Sequence, residues 1–169
     1  MPSAPGAGLL VFCRATAPAV ELLLLSGSSA ATRGAYRVPS WEHERGVPAG
    51  PASEVPIEER LRRRSHASGP SPDELLETAR TGCVRDFGWR PEAPFLALGG
   101  VKQHRHRLLY VWACEVDAAV ASSLAGTLVA GRRAVLVDLD AARRRVVSGQ
   151  RRFVDQLSAL LSGDPSADR

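Results

Sequence analysis

The sequence predicts an α/β (α+β) domain in which strands and helices pack as a sandwich. Three observations predict it. Two apolar runs of strand length open the chain, a fully signposted helix starts near residue 71, and an amphipathic helix closes the chain after a further set of strands.

The elements follow in order. GLLVFCRA (8–15) and VELLLLS (20–26) are joined by TAPA and read as a hairpin. AYRVPS (35–40) is a third short strand, closed by Pro39. From about 41 to 70 the chain turns rich in Pro, Gly, Ser, Glu and Arg, which reads as an insertion. Within it SEVPIEERLRRRS carries Glu58–Arg62 and Glu59–Arg63 at the favourable i,i+4 order, so a short solvated helix is expected there. SPDELLETA begins the best helix. Ser71 is the N-cap, Pro72 fits the first turn, and Glu74 completes a capping box. Leu76, Ala79, Cys83 and Phe87 give the core stripe, and Gly88 is the stop, so the helix spans about 71–87. FLALGGVKQ (95–103) and HRLLYVWACEV (106–116) form a central hairpin. AAVASSLAGTLVAG is loop or short helix. RRAVLVDLD (132–140) is a strand, with Asp138 or Asp140 capping a short basic helix after it. GQRRFVDQLSALL is the final helix, with Phe153, Leu157, Leu160 and Leu161 on its apolar side. One domain over 5–162 with a frayed tail at 163–169 accounts for the whole chain.

Composition narrows the function. A net charge of +4 tolerates an anionic partner. Little aromatic residue interleaves with the arginines, which argues against nucleic acid. Lys102 is the only lysine among many arginines, a coding bias and not a functional signal. Cys13, Cys83 and Cys114 are odd in number and share no CxxC spacing, so they read as buried apolar residues of a reducing compartment. Arg14, Pro18 and Glu21 interrupt the N-terminal apolar run, so neither a signal peptide nor a membrane span is expected, and the protein reads as cytoplasmic. His104 and His106 in VKQHRHRL share a strand parity, but no third ligand stands at metal spacing.

Several stretches resemble a bacterial branch of the Nudix hydrolases. AGLLVFCRATAPAVELLLL is similar to that branch's opening hairpin, and AYRVPS stands where it has a Trp-Ser-Ile-Pro-Lys-Gly stretch. LALGGVKQ with YVWACEVD resembles its central strand pair, and VLVDLDAARRRVVSGQRRFVDQL its closing strand and two helices. The resemblance implies a Nudix-like α/β/α sandwich with a mixed β-sheet. It also implies a Nudix box, G-x5-E-x7-R-E-U-x-E-E-x-G-U, with U apolar. In that box glutamates on one helix face hold Mg²⁺ through oxygen, and the metal neutralises a diphosphate and activates water.

Anchored on Gly88 and Trp89, the box departs from the pattern at its chemical positions. Its Arg falls on Thr81, and its first helix glutamate on Gly82. The next two glutamates fall on Arg85 and Asp86, while apolar Cys83 fits. Asp73 stands for the upstream Glu, and Trp41 for the opening Gly, because the insertion splits the box. Only Asp86 remains as a metal-binding candidate. Glu77 lies about 180° around the helix from it, and Glu74 roughly 18 Å along the axis. Gly82 costs the helix about 1 kcal/mol relative to Ala, with no compensation visible in the sequence.

The resemblance with these departures implies a degenerate Nudix-like protein, its diphosphate hydrolysis lost or greatly weakened. Such a protein would bind a nucleotide or another phosphorylated small molecule. Arg85 is expected to meet phosphate in place of the metal, with Arg37 and Lys102 beside it. No catalytic residue is assigned. One alternative is an active hydrolase that uses Mg²⁺ or Mn²⁺, drawing carboxylates from Glu42, Glu44 or Glu54. The other is a protein-interaction module that uses residues 41–70.

Overall fold

The computed structural model describes residues 4–16, 19–27, 34–44, 69–103 and 107–163. The helix expected within 53–65, residues 45–68 of the insertion, Glu54, the histidines 104 and 106 and residues 164–169 lie outside the described residues.

Strands β1 (Gly6–Thr16) and β2 (Ala19–Ser26) form the expected antiparallel hairpin. Their buried positions run almost unbroken through Leu9–Cys13 and Leu22–Leu25, because both faces of this pair are covered. β5 (Phe95–Lys102) and β6 (Leu108–Glu115) also pair antiparallel, but at the edge of the sheet rather than its centre. β6 lies parallel to β1, and this leaves β5 outermost. β8 (Arg132–Asp138) pairs with the far side of β2, and β7 (Leu128–Val129) with β8. The order is β5-β6-β1-β2-β8-β7, a mixed sheet.

The third expected strand is in fact two. β1 and β2 pair from Val11–Leu23 toward the hairpin turn, and the chain from 36 to 42 occupies the fork beyond. β3 (Tyr36–Arg37) pairs with β2, and β4 (Ser40–Glu42) pairs with β1. Between them Pro39 has no N–H to donate, while its carbonyl accepts from Leu9 N at 3.0 Å. Val38 N donates to Oε1 of Gln150 at 2.8 Å. Gln150 is only 3% exposed and the single buried polar side chain among the described residues. It ends the 3₁₀ turn Ser148–Gln150, so one amide ties the fork to the C-terminal helix.

Helix α1 (Pro72–Phe87) covers one face. Its start is as expected: Ser71 Oγ accepts from Glu74 N, and Glu74 Oε2 accepts from Ser71 N at 2.7 Å. Gly88 closes it at φ 66°, a left-handed conformation that suits glycine. Its buried stripe is Leu75, Ala79, Gly82 and Cys83, not Leu76 and Phe87, which only flank the core. A glycine has no side chain to bury, so the sequence does not mark Gly82 as core. The face is set by what lies on Gly82. Helix α2 (Ala118–Leu124) shares this face with α1.

The opposite face carries α3 (Leu139–Arg145) and α4 (Arg151–Ser162). Asp138, not Asp140, caps α3, with Oδ1 accepting from Ala141 N at 2.8 Å. On α4 Phe153, Val154 and Leu157 are buried, whereas Leu160 is 43% exposed. The 3₁₀ turn before α4 sets its rotation, and this brings Val154 inward instead. The three layers are the expected α/β/α sandwich. Among the described residues no helix is long and apolar enough to cross a membrane.

Replacing Gln150 by Leu would keep the volume but leave the Val38 N–H without an acceptor. We expect a loss of about 1–3 kcal/mol in denaturant unfolding. A change under about 0.5 kcal/mol, the scatter of neutral surface substitutions, would show that the amide does not hold the fork.

Candidate functional site

The fork places Trp41 on β4 opposite Ala7 of β1. Ala7 is small and fully buried, so the indole can lie flat between the sheet and α1. It is 6% exposed. On the helix side it rests on Gly82, where an added Cβ would come within 2.3 Å of indole Cδ2. No side chain of any kind fits there while the ring is in place. Here is the compensation for Gly82 that the sequence hides. Glycine gives up about 1 kcal/mol of helix propensity, and in exchange a large aromatic ring is buried against the backbone.

The polar edge of the ring is also used. Trp41 Nε1 donates to Asp86 Oδ2 at 2.6 Å. Arg85 donates from Nε to Oδ1 at 3.0 Å and from Nη2 to Oδ2 at 3.3 Å. Both carboxylate oxygens are therefore engaged. The Arg85 hydrogen bond is the main reason the Asp86 carboxyl titrates below the ordinary carboxylate range. Partial burial opposes it, and the Trp41 bond and the Arg85 charge add to it. Glu44 adds a second negative neighbour to Arg85. One residue further along the chain from Glu42, His43 donates from Nδ1 to the Thr78 hydroxyl, 2.8 Å away, which itself donates to Glu74 O.

In front of this cluster is a cleft of about 430 Å³. Its walls include Arg37, Arg85, Arg107 and Arg132, together with Glu42, Glu44 and Asp86. Of the sequence-predicted site residues, Arg37, Arg85 and Asp86 are brought together. Lys102 is not on the walls. It pairs opposite Leu108 in the β5–β6 ladder, and its neighbour Gln103 lines the cleft instead. Arg107 and Arg132 are the arginines that sequence reasoning missed. Arg107 Nη1 donates to Glu42 Oε1 at 2.8 Å across the backbone of Gly6, which has no side chain to block it. Arg132 reaches the cleft through register: Leu25 is opposite Ala134 on one side and Arg37 on the other. Arg132, two residues before Ala134, then shares their face of the sheet.

This architecture matches known structures closely. A mutT/nudix family protein from Listeria innocua superposes with TM-score 0.65 at 10% identity, covering 97% of each chain. An Ap4A hydrolase from C. elegans gives 0.59 at 12% identity over 94% of this chain and 98% of its own. The chain has the Nudix fold. The NUDIX domain of NrtR from Shewanella oneidensis, solved with ADP-ribose, is similar at TM-score 0.57 and 10% identity, over 95% and 90% of the two chains. No protein-family model and no curated protein matches the sequence. In this Nudix-fold chain, α1 stands where the resemblance puts the box helix. Among the described residues no three His, Cys, Asp or Glu side chains gather as a metal site.

The cysteines offer no nucleophile. All three are buried. Burial, with Cys114 and Asp86 nearby, pushes the Cys83 thiol up to about 12, and burial raises Cys13 and Cys114 as well.

Two predictions follow from the indole. Gly82→Ala should destabilise the protein by about 1–3 kcal/mol through overpacking, against its helix propensity. In a Trp41→Ala background the same change should stabilise, by up to about 1 kcal/mol. The same sign in both backgrounds, measured by denaturant unfolding, would rule out the ring as the cause. For Asp86 the folded carboxyl is the stronger acid, so its stabilisation is complete above the unfolded value of about 3.9 and fades as pH falls through the lower folded value. The melting-temperature deficit of Asp86→Asn should thus be full at pH 7 and begin to shrink as pH falls below about 4. A deficit that does not shrink with falling pH would argue against the ionised clamp.

Proposed function

We propose that this protein is a Nudix-fold binding module for a nucleotide or other phosphorylated small molecule, with diphosphate hydrolysis lost or greatly weakened. The observation that carries the reading is the indole of Trp41. It occupies the helix face where the family resemblance would put the first metal-binding glutamate, and it consumes one oxygen of the sole remaining carboxylate. Arg85 donates to both oxygens of that carboxylate. A dication placed there would meet a guanidinium instead of oxygen ligands. At about 4–6 Å that repulsion amounts to several kcal/mol, even at an effective dielectric of 20.

What remains is a polar, arginine-walled cleft of about 430 Å³. That volume is in the range of small-molecule sites. Guanidinium groups can recognise phosphate without a metal. The ADP-ribose held by the NrtR domain makes a ligand of that chemical class a reasonable first probe.

The test combines turnover and binding. The panel holds ADP-ribose, ADP, NADH, dinucleoside polyphosphates and nucleoside triphosphates, each with Mg²⁺, with Mn²⁺ and with chelator. We expect no turnover, and a melting temperature raised by at least one panel member in chelator, because a ligand of the native state stabilises by mass action. Restoring chemistry should require Trp41→Gly together with Gly82→Glu, Arg85→Glu and Asp86→Glu, since a side chain at 82 cannot enter beside the ring. Metal-dependent turnover by the unaltered protein would overturn the reading and point to Glu42 and Glu44, which also line the cleft.

A further inference from the structure

The cleft holds four arginines and three carboxylates, and their pairing is unequal. Arg107 is paired with Glu42. Arg85 is paired with Asp86 and has Glu44 close by. Arg37 and Arg132 have no ion pair among the described residues. Arg132 goes further. Its Nη1 is buried without any hydrogen-bond partner, as is Nε of Arg107, whose Nη1 does have Glu42. Native proteins rarely leave a charged donor so, and each such group calls for an explanation such as a ligand or an ordered water. Arg37 and Arg132 stand on strands either side of β2, on one face, about Leu25. Two arginines without an ion pair among the described residues therefore line the same cleft from strands flanking β2.

We propose that Arg37 and Arg132 form the seat of a terminal phosphate monoester, and that Arg85 does not touch the ligand. This rests on the reading that the cleft binds a phosphorylated small molecule, and it names the group bound. The charge decides the class. A phosphate monoester carries about −1.5 to −2 at pH 7, with its second pKa near 6, and so balances two guanidinium groups at one point. Each phosphate of an internal diphosphate, esterified on both sides as in ADP-ribose, has only one negative charge to offer there. Arg85 already balances its charge against Asp86. Its two hydrogen bonds hold Asp86 against the indole, a positioning role. Ligands that end in phosphate are thus favoured over those capped by a second sugar.

The experiment is calorimetric titration of the whole chain with ADP, ADP-ribose and inorganic pyrophosphate, in chelator, at pH 7.5 and pH 5.5. The proteins are the parent, Arg37→Gln, Arg132→Gln, Arg85→Gln and, as a control on the basic α3–α4 surface, Arg144→Gln. Melting temperature is recorded for each variant, so that loss of fold is separated from loss of binding. ADP and pyrophosphate should bind the parent more tightly than ADP-ribose, and more weakly at pH 5.5. Arg37→Gln and Arg132→Gln should each weaken ADP by about tenfold or more, the effect of one charge-assisted hydrogen bond. Neither should change ADP-ribose comparably. Arg85→Gln should lower the melting temperature and leave ADP affinity within about threefold, because its partner Asp86 is structural. Binding lost in Arg85→Gln but kept in Arg37→Gln and Arg132→Gln would overturn this inference and leave the binding-module reading standing. Binding lost only in Arg144→Gln would move the anion site to α3–α4 and overturn it as well. No binding of any probe by the folded parent would overturn both.

Discussion

The burial of one indole against one glycine governs this site. The indole of Trp41 lies between the sheet and α1, and it can do so only because position 82 has no side chain and position 7 has only a methyl group. The ring then fixes the distance between helix and sheet, and its N–H fixes Asp86. Asp86 in turn holds Arg85, and the helix end acquires a closed set of mutual partners. A surface carboxylate with its oxygens already engaged is a structural group. The interaction is local in space but joins residues 41 and 86, on either side of the insertion.

Electrostatics of the cleft follow from that closure. When Asp86 and Arg85 satisfy each other, neither contributes much field to the cavity, and Glu42 removes Arg107 in the same way. The net positive potential is left to the strands around β2. In a metal-dependent site the cation would be held by the helix. Here Arg37 and Arg132 also line the cleft from the strands that flank β2. The fork that splits β3 from β4 makes this possible, since it feeds Arg37 and Trp41 into the same space from adjacent turns of chain. Gln150, itself on the cleft lining, secures the fork by accepting from Val38 N, so the geometry of the cleft depends on the turn before α4.

Much of the scaffold was legible because its signals are local. Ser71, Pro72, Glu74 and Gly88 mark both ends of α1 within a few residues of where they act. The apolar runs of β1, β2, β6 and β8 have the right length and residue types for strands buried on both faces. Errors came where a neighbour in space overrides local pattern. Leu76 was favoured over Leu75, because the helix face depends on the indole. Leu160 was placed in the core, because the rotation of α4 depends on the turn before it. The strand at 35–40 divides in two, because β1 and β2 diverge beneath it. Of the site, Arg37, Arg85 and Asp86 could be found by their place in the box or beside it. Arg107 and Arg132 could not, since only strand pairing carries them to the cleft. Lys102 shows the converse: paired opposite Leu108, it is off the cleft walls.

By itself the sequence determined the fold class, the limits of most elements, and the presence of Gly82 and Arg85 on the face of α1. Those are properties of composition and spacing along the chain, and spacing is enough to fix periodicity, caps and register with a motif. Only the tertiary structure decided how Gly82 is accommodated and which arginines line the cleft. Gly82 is explained by Trp41 lying on it, and Arg85, on the cleft wall, is paired with Asp86. Close packing and pairing of charge are relations between residues far apart in sequence. They have no signature until folding brings the partners within a few ångströms.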